Sequence, residues 1–440
     1  MYRFLFPFIN RAHPSLPIRA LSKQLLPAVS ALPVQHLPHV SGFRSAFHSL
    51  SNATRVDDIS SQISTSASKL QIQWNNEQAS LFHHFWLRDH CRCPECYHQV
   101  TKQRLVDTFK IPRNIQPSSV TSNKDGIEVI WSNDGHKSFY QWDWLRRHSY
   151  DPPLEKEKQV LEKTIFWDAK IAENPPTVDY KSVMSSNEGL AQWLENIVIY
   201  GFSFVDGVPA TLKDTEDLAR RICFIRETHY GGSWEVTANM EHGDTAYTNL
   251  PLKAHTDNTY FTDPCGLQMF HILEFNGTGG DSLLVDGFHA AQQLKRSNPE
   301  AYHTLSTTPI PAHSAGDPDT CIVPTPRALP ILRHAGSELY QIRYNNDDRS
   351  SISHLSSHQI ERFYEALFAW DRVLRNPENE FWFPLRPGRA VIFDNWRVLH
   401  GRAGFTGMRK LSGAYLNWDD FRSRWRRLKY SPQDIEQEFL

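Results

Sequence analysis

From about residue 245 the chain is cut into short β-forming runs, at 266–273, 282–285, 339–344, 390–393 and 411–416, each bounded by Gly, Pro, Asn or Asp. Many short strands with a few covering helices argue for a sandwich or a double-stranded β-helix (jelly-roll) barrel, mainly β with helices. The covering helices are legible upstream. In 187–200 the apolar residues Leu190, Trp193, Leu194 and Ile197 recur at helical spacing behind Ser186, a suitable N-cap, and 214–226 repeats the pattern with Leu218, Ile222 and Ile225. No internal repeat of 20–50 residues is visible, and 303–330, rich in Pro and Thr without periodicity, reads as a long loop or lid.

Before this unit, the runs 70–74, 80–87, 127–131 and 138–142 alternate as strands, with a hairpin signal at Asn133-Asp134-Gly135. They predict a small β-rich domain over 66–150. The charged stretch Asp151-Pro152-Pro153-Leu154-Glu155-Lys156-Glu157-Lys158 then reads as a linker into a larger domain over 166–430. The first 56 residues differ from both. They carry Arg3, Arg11, Arg19, Lys23, Arg44 and Arg55 with no Asp or Glu before Asp57, and five prolines between Pro7 and Pro33 interrupt any long helix. That asymmetry predicts a transit peptide for the mitochondrial matrix, removed within 44–54, with a disordered tail.

Composition narrows the partners. At 440 residues, 40% hydrophobic and 22% charged, the chain is a folded one of more than one domain. Its 47 basic and 49 acidic residues give a formal charge of −2, so no global field is available for nucleic acid or an anionic membrane. No apolar run reaches the length of about eighteen residues that a membrane helix needs. Neither nucleic acid nor a membrane is an expected partner, and a homodimer is left open.

Three of the six cysteines lie in Cys91-Arg92-Cys93-Pro94-Glu95-Cys96, which is wrong for a disulfide framework and suggestive of metal. Tetrahedral zinc needs a fourth ligand, and His136, just past the hairpin turn, is the obvious candidate; His98 is nearer but cramped. A closed Cys3His shell is a structural site. The bland reading is three free thiols in a loop, against which stands their reactivity.

A second constellation is His255-Thr256-Asp257. In an extended strand residues i and i+2 point the same way, so an imidazole and a carboxylate share a face. Two histidines and one carboxylate hold one face of an octahedral Fe(II) and leave three positions for a bidentate co-substrate and O2. Among 21 histidines a chance pair is common, but His400, at the end of a strand-turn segment, supplies the third ligand if a barrel brings the strands together. Nine residues on, Arg409 begins the run Arg409-Lys410-Leu411-Ser412-Gly413-Ala414-Tyr415, in which Arg409, Leu411, Gly413 and Tyr415 share a face. Inside a barrel that guanidinium needs an anion, and a dicarboxylate is a fitting bidentate partner. An ordinary strand Arg paired with Asp or Glu is the alternative.

His255-Thr256-Asp257-Asn258-Thr259-Tyr260-Phe261, Gly277-Thr278-Gly279-Gly280, Val285-Asp286-Gly287-Phe288 and Asn395-Trp396-Arg397-Val398-Leu399-His400-Gly401-Arg402 closely resemble the Fe(II)/2-oxoglutarate dioxygenases of carnitine biosynthesis. The resemblance covers roughly 80–425, including Trp86-Leu87-Arg88-Asp89, and favours the trimethyllysine-hydroxylating branch over the gamma-butyrobetaine-hydroxylating one. It implies Fe(II) on His255, Asp257 and His400, and 2-oxoglutarate on Arg409 with Ser282. Ascorbate is implied as reductant. In the butyrobetaine branch the zinc ligands match Cys91, Cys93, Cys96 and His136.

The resemblance also implies that a quaternary ammonium is held by Tyr230, Trp234, Tyr247 and Tyr415. A trimethylammonium donates no ordinary hydrogen bond, so aromatic faces suit it, each contributing about 0.5–2 kcal/mol. Without the resemblance these four would read as core aromatics. Asp244, where butyrobetaine relatives carry an amide, is the expected selectivity residue because trimethyllysine has an α-ammonium. Asn345 and Asn346 are expected at the substrate carboxylate. The rival readings are gamma-butyrobetaine hydroxylation, a sulfonate- or small-acid-directed dioxygenase without the cage, and a catalytically inert zinc-dependent interaction protein.

Overall fold

The computed structural model describes residues 63–154, 164–237 and 245–439. The expected transit peptide and Asp244 lie outside the described residues.

The first part is built twice over. Strands Ile63–Thr65, Lys69–Gln73 and Ala79–His83 form an antiparallel sheet followed by helix His84–Asp89; Pro117–Ser122, Gly126–Trp131 and Lys137–Gln141 form a second, followed by helix Trp142–Arg147. The two helices, with the histidines that cap their C-termini, carry Trp86-Leu87-Arg88-Asp89-His90 and Trp144-Leu145-Arg146-Arg147-His148. In each, the histidine Nδ1–H donates at 2.8 Å to the carbonyl of the tryptophan four residues earlier and stacks on its ring, at 4.2 and 4.5 Å between centroids. In each preceding hairpin a tryptophan indole N–H donates to a serine, Trp74 to Ser80 at 2.7 Å and Trp131 to Ser138 at 2.9 Å. The chain thus holds an internal repeat whose spacing, 57 residues from Trp74 to Trp131 and 58 from Trp86 to Trp144, lies outside the 20–50 range in which none is expected, because the cysteine-bearing connection intervenes. Both copies share one core, with Leu70, Ile72, Phe82 and Leu87 packed with Ile127, Val129, Tyr140 and Leu145. The expected strand 80–87 ends at His83: burying Leu87 beside His84 takes helical spacing.

In the second part, helix Asn187–Tyr200 forms as its pattern requires. Ser186 Oγ accepts the Gly189 N–H at 2.9 Å, the apolar stripe is buried, and Gly201 ends the helix at φ +78°, a backbone angle suited to glycine. The next helix is Leu212–Ile222, shorter than expected, and Ile225 instead bridges to Leu416. A long helix, Ser357–Leu374, opens on a capping box of Ser356 and Gln359.

The strands form two main sheets. One has six, in the order Thr177–Asp179, Phe202–Asp206, Arg389–Asp394, Leu267–Phe275, Arg409–Leu416 and Ser233–Val236; only its first pair is parallel. The other has four, Leu252–His255, Val398–Arg402, Ser282–Asp286 and Phe381–Phe383. Side chains of both sheets line one cavity of about 420 Å³, the jelly-roll arrangement in which a site lies between the layers. The stretch expected as a long loop is more ordered: helix Pro299–Thr307 runs into it, Ile310–Pro311 pairs with Ala328–Leu329, and Ser314 bridges Ile322.

Candidate active site

Strand pairing brings the two distant histidines together. Leu252–His255 runs antiparallel to Val398–Arg402 with His255 opposite His400, and on its other side His400 faces Leu284. The rings of His255 and His400 lie 4.2 Å apart between centroids, and His400 packs on Phe270 and Phe393. Asp257 follows the strand and is held by Asn395, whose Oδ1 accepts the Asp257 N–H at 2.8 Å and whose Nδ2 donates to the Asp257 carbonyl at 3.0 Å. Asn258 then turns the backbone away at φ +60°.

The donor atoms converge. Oδ1 of Asp257 lies 3.2 Å from Nε2 of His255 and 3.7 Å from Nε2 of His400, and one ligand atom from each residue falls within 4.8 Å of the others. The His255 Nδ1–H donates to the Lys253 carbonyl at 2.7 Å, which leaves Nε2 as its lone-pair nitrogen when neutral. Gln268 Nε2 and the Tyr415 hydroxyl donate to the other oxygen of Asp257, at 2.6 and 2.8 Å. Burial and its neighbour His255 push His400 down to about 3, so it stays neutral. Burial disfavours the charged Asp257, yet the two histidines and the Tyr415 bond hold its carboxyl well below the usual range. The converging set is one carboxylate and two imidazoles, the donor set that suits Fe(II) with open positions.

Arg409 enters the same cavity from the six-stranded sheet. It is 7% exposed and, among the described residues, has no acidic partner; its guanidinium lies over the Phe405 ring at 5.7 Å. Burial and the nearby Arg402 lower its pKa to about 10. A buried cation without an anion fits a carboxylate ligand. Ser282 lines the cavity and is paired in register with Arg402. The Arg402 guanidinium donates to the carbonyls of Ala246, Thr248 and Leu250 and so anchors the segment that carries Tyr247.

Tyr230, Trp234, Tyr247 and Tyr415 all line the cavity. Trp234 and Tyr415 are 5.4 Å apart between centroids, and Trp234 lies over Gly413, where an added Cβ would come within 2.2 Å of the indole. Tyr260, to which no separate role was given, joins this wall: its hydroxyl is 3.2 Å from that of Tyr230. Asn345 and Asn346 lie in the wall beside Asp347 and Asp348. Gln268 and Asn395 were not foreseen either. Each is a single polar residue in or beside a strand, and only the folded sheet reveals its partner.

The cysteine cluster lies apart from this cavity. Sγ atoms of Cys91, Cys93 and Cys96 are 3.3, 3.5 and 3.5 Å from Nε2 of His136. The hairpin tip places the imidazole: Gly135 takes φ +68°, and Asp134 Oδ1 accepts the His136 N–H at 3.0 Å. Burial raises the Cys91 and Cys96 thiols, Cys96 to about 12, while Arg88 Nη1 donates to Cys96 Sγ at 3.3 Å. Three thiols and an imidazole this close fit a tetrahedral ion, whose charge would favour the thiolates.

Comparison with known proteins agrees with this geometry. Residues 160–415 match the family model described as taurine catabolism dioxygenase TauD, TfdA family, and 61–146 match gamma-butyrobetaine hydroxylase-like, N-terminal. A trimethyllysine dioxygenase of Meyerozyma guilliermondii is 40% identical over 87% of this chain and 99% of that protein. The mitochondrial trimethyllysine dioxygenase of Homo sapiens is 44% identical over 77% of this chain and 80% of that protein. A gamma-butyrobetaine dioxygenase of Pongo abelii is 32% identical over 82% of this chain and 94% of that protein. The chain belongs to the TauD, TfdA dioxygenase family and, within it, to the trimethyllysine dioxygenases.

Proposed function

We propose that the protein hydroxylates N6,N6,N6-trimethyllysine to 3-hydroxy-trimethyllysine, the first step of carnitine biosynthesis, using Fe(II), 2-oxoglutarate and O2, with ascorbate as reductant. The observation that carries the reading is one aromatic-walled cavity holding His255, Asp257 and His400 together with the guanidinium of Arg409, which has no acidic partner among the described residues. The trimethyllysine branch is supported by identities of 40–44% against 32% for the butyrobetaine relative.

His255, Asp257 and His400 would hold the iron, which with 2-oxoglutarate and O2 supplies the oxidant for a C–H hydroxylation as 2-oxoglutarate becomes succinate and CO2. Arg409 would bind the distal carboxylate of 2-oxoglutarate bidentately, with the Ser282 hydroxyl beside it. Gln268 and Tyr415 fix the Asp257 carboxylate, and Asn395 fixes the Asp257 backbone. The rings of Tyr230, Trp234, Tyr247 and Tyr415 would take the quaternary ammonium, and Asn345 and Asn346 the carboxylate at the other end, with Asp244 for the α-ammonium. Held at both ends, the substrate presents one carbon to the metal.

Residues 66–150 form, in this reading, a zinc-binding domain with Cys91, Cys93, Cys96 and His136 as ligands, and 166–430 the catalytic domain. Residues 1–56 direct the chain to the mitochondrial matrix, in line with the names of several relatives. The test is turnover of trimethyllysine and of gamma-butyrobetaine in separate reactions, followed by the +16 Da product. Trimethyllysine is expected to react; preference for butyrobetaine would overturn the branch, and no product with either would overturn the cage.

A further inference from the structure

Two parts of the cavity wall are tied to each other by bonds that involve neither iron ligands nor the aromatic cage. Thr256, buried between His255 and Asp257, donates its N–H to the Tyr344 carbonyl at 2.7 Å, and its hydroxyl accepts the Tyr344 N–H at 2.9 Å. The Thr259 hydroxyl donates to Asp348 Oδ2 at 2.8 Å. The Arg343 guanidinium closes the seam by donating to the carbonyls of Thr259, Phe261 (2.6 Å) and Thr262 (3.2 Å). An outer layer rests on both edges, where the Thr325 N–H donates to Thr262 Oγ1 at 2.9 Å and the His313 N–H to the Asp348 carbonyl at 3.0 Å.

Arg343 is 6% exposed and pairs with no acidic side chain among the described residues. Burying a cation is costly unless it is fully hydrogen-bonded, and here the bonds all go to one short backbone segment. That segment, 259–262, follows Asp257 and carries Tyr260, while Arg343 itself leads into Asn345, Asn346, Asp347 and Asp348, which line the cavity. The planar fork therefore holds segment 259–262 against the stretch that leads into 345–348.

We propose that Arg343 is a positioning residue that sets the register of the 345–348 wall against the 255–262 segment, and with it which carbon of the substrate faces the metal. This rests on the trimethyllysine reading, in which 345–348 meets the amino-acid head. Arg343 is not among the residues that line the cavity. Lysine in its place keeps the charge but spans one carbonyl instead of three.

The test uses the full chain with Arg343→Lys and, as a milder change, Thr259→Val, which deletes the bond to Asp348 at nearly constant volume. For each, KM for trimethyllysine and for 2-oxoglutarate, the ratio of succinate to hydroxylated product, and trimethyllysine binding by calorimetry with Ni(II) in place of iron are measured. Arg343→Lys is expected to weaken trimethyllysine binding about tenfold or more and to raise the succinate-to-product ratio above that of the wild type, with KM for 2-oxoglutarate unchanged. Thr259→Val should move the same quantities in the same direction by a smaller factor, and decides the matter if Arg343→Lys does not fold. A lower melting temperature with unchanged trimethyllysine binding and unchanged coupling would overturn the proposal. Failure of the wild type itself to hydroxylate trimethyllysine would instead overturn the substrate reading, so the two failures are distinguishable.

Discussion

The hydroxyl of Tyr415 donates a 2.8 Å hydrogen bond to Oδ2 of Asp257, the oxygen turned away from His255. Burial and the Asp257 charge raise the phenol well above its ordinary pKa, so it remains a donor at any working pH. With Gln268 on the same oxygen, Oδ1 is left to face the two histidines.

Tyr415→Phe keeps the ring against Trp234 and removes only the donor. Metal affinity is expected to fall about tenfold, as for other groups that orient a ligand without touching the ion. Fe(II) or Co(II) titration of the purified protein reads it. Folding stability should change by only about 1 kcal/mol, the net worth of one hydrogen bond. Unchanged metal affinity would mean that the bond merely satisfies a buried phenol.

Arg409 is a buried cation without an anion among the described residues, held at about 10 by burial and Arg402. Arg409→Met is therefore expected to weaken 2-oxoglutarate binding roughly a hundredfold, the loss of two charge-assisted hydrogen bonds. Without 2-oxoglutarate the variant should melt no lower than the wild type, because an unpaired buried charge has gone. Calorimetry and thermal melts check both halves; retained 2-oxoglutarate affinity would remove Arg409 from the co-substrate site.

How far the sequence could be read depended on the range of the interactions. His255 and Asp257 share a face because residues two apart in a strand do, and Arg409 and Tyr415 share one for the same reason, so these were legible locally. That His255 lies opposite His400 is a matter of register across 145 positions, which only the closed sheet decides. Gln268 had no signal at all: its neighbours in the strand Leu267–Phe275 are apolar on both sides, and its partner comes from another element. Ser80, Phe82, His84 and Trp86 continue a period of two into a six-residue helix, too short for helical periodicity to show. The repeat of Trp86-Leu87-Arg88 in Trp144-Leu145-Arg146 has a longer period than the 20–50 residues of stacked repeats, and its meaning rests on two matching hairpins.

At the cysteine cluster, Cys91→Ser is expected to reduce zinc from one equivalent to none while leaving iron binding intact, since the two donor sets share no residue. The ion's binding energy is coupled to folding, so the variant should also lose thermal stability. Elemental analysis of the purified full chain with a melting curve reads both. Full zinc content in the variant would contradict the Cys3His assignment.

The last prediction concerns acid. His271 lies inside the six-stranded sheet, between Ala390 and Ser412, and is fully buried. The Thr215 hydroxyl donates to the Thr211 carbonyl at 2.8 Å, so it accepts from His271 Nδ1–H, also at 2.8 Å, and Nε2 has no hydrogen-bond partner among the described residues. A proton on Nε2 would be a buried charge with no acceptor. Burial accordingly lowers His271 to about 4, against a slight opposing pull from Asp214. The unfolded chain takes up this proton near pH 6.5 and the folded chain only near 4, so unfolding is favoured increasingly as pH falls between them, and the contribution to stability is complete above 6.5. His271→Gln, whose amide can still donate to Thr215, removes this titration. Melting temperatures of the two proteins are expected to run parallel above pH 7, with the wild type falling more steeply from pH 6.5 towards 4. Taking the difference between the two cancels the other groups that titrate in the same range; parallel slopes throughout would show that His271 does not govern acid stability.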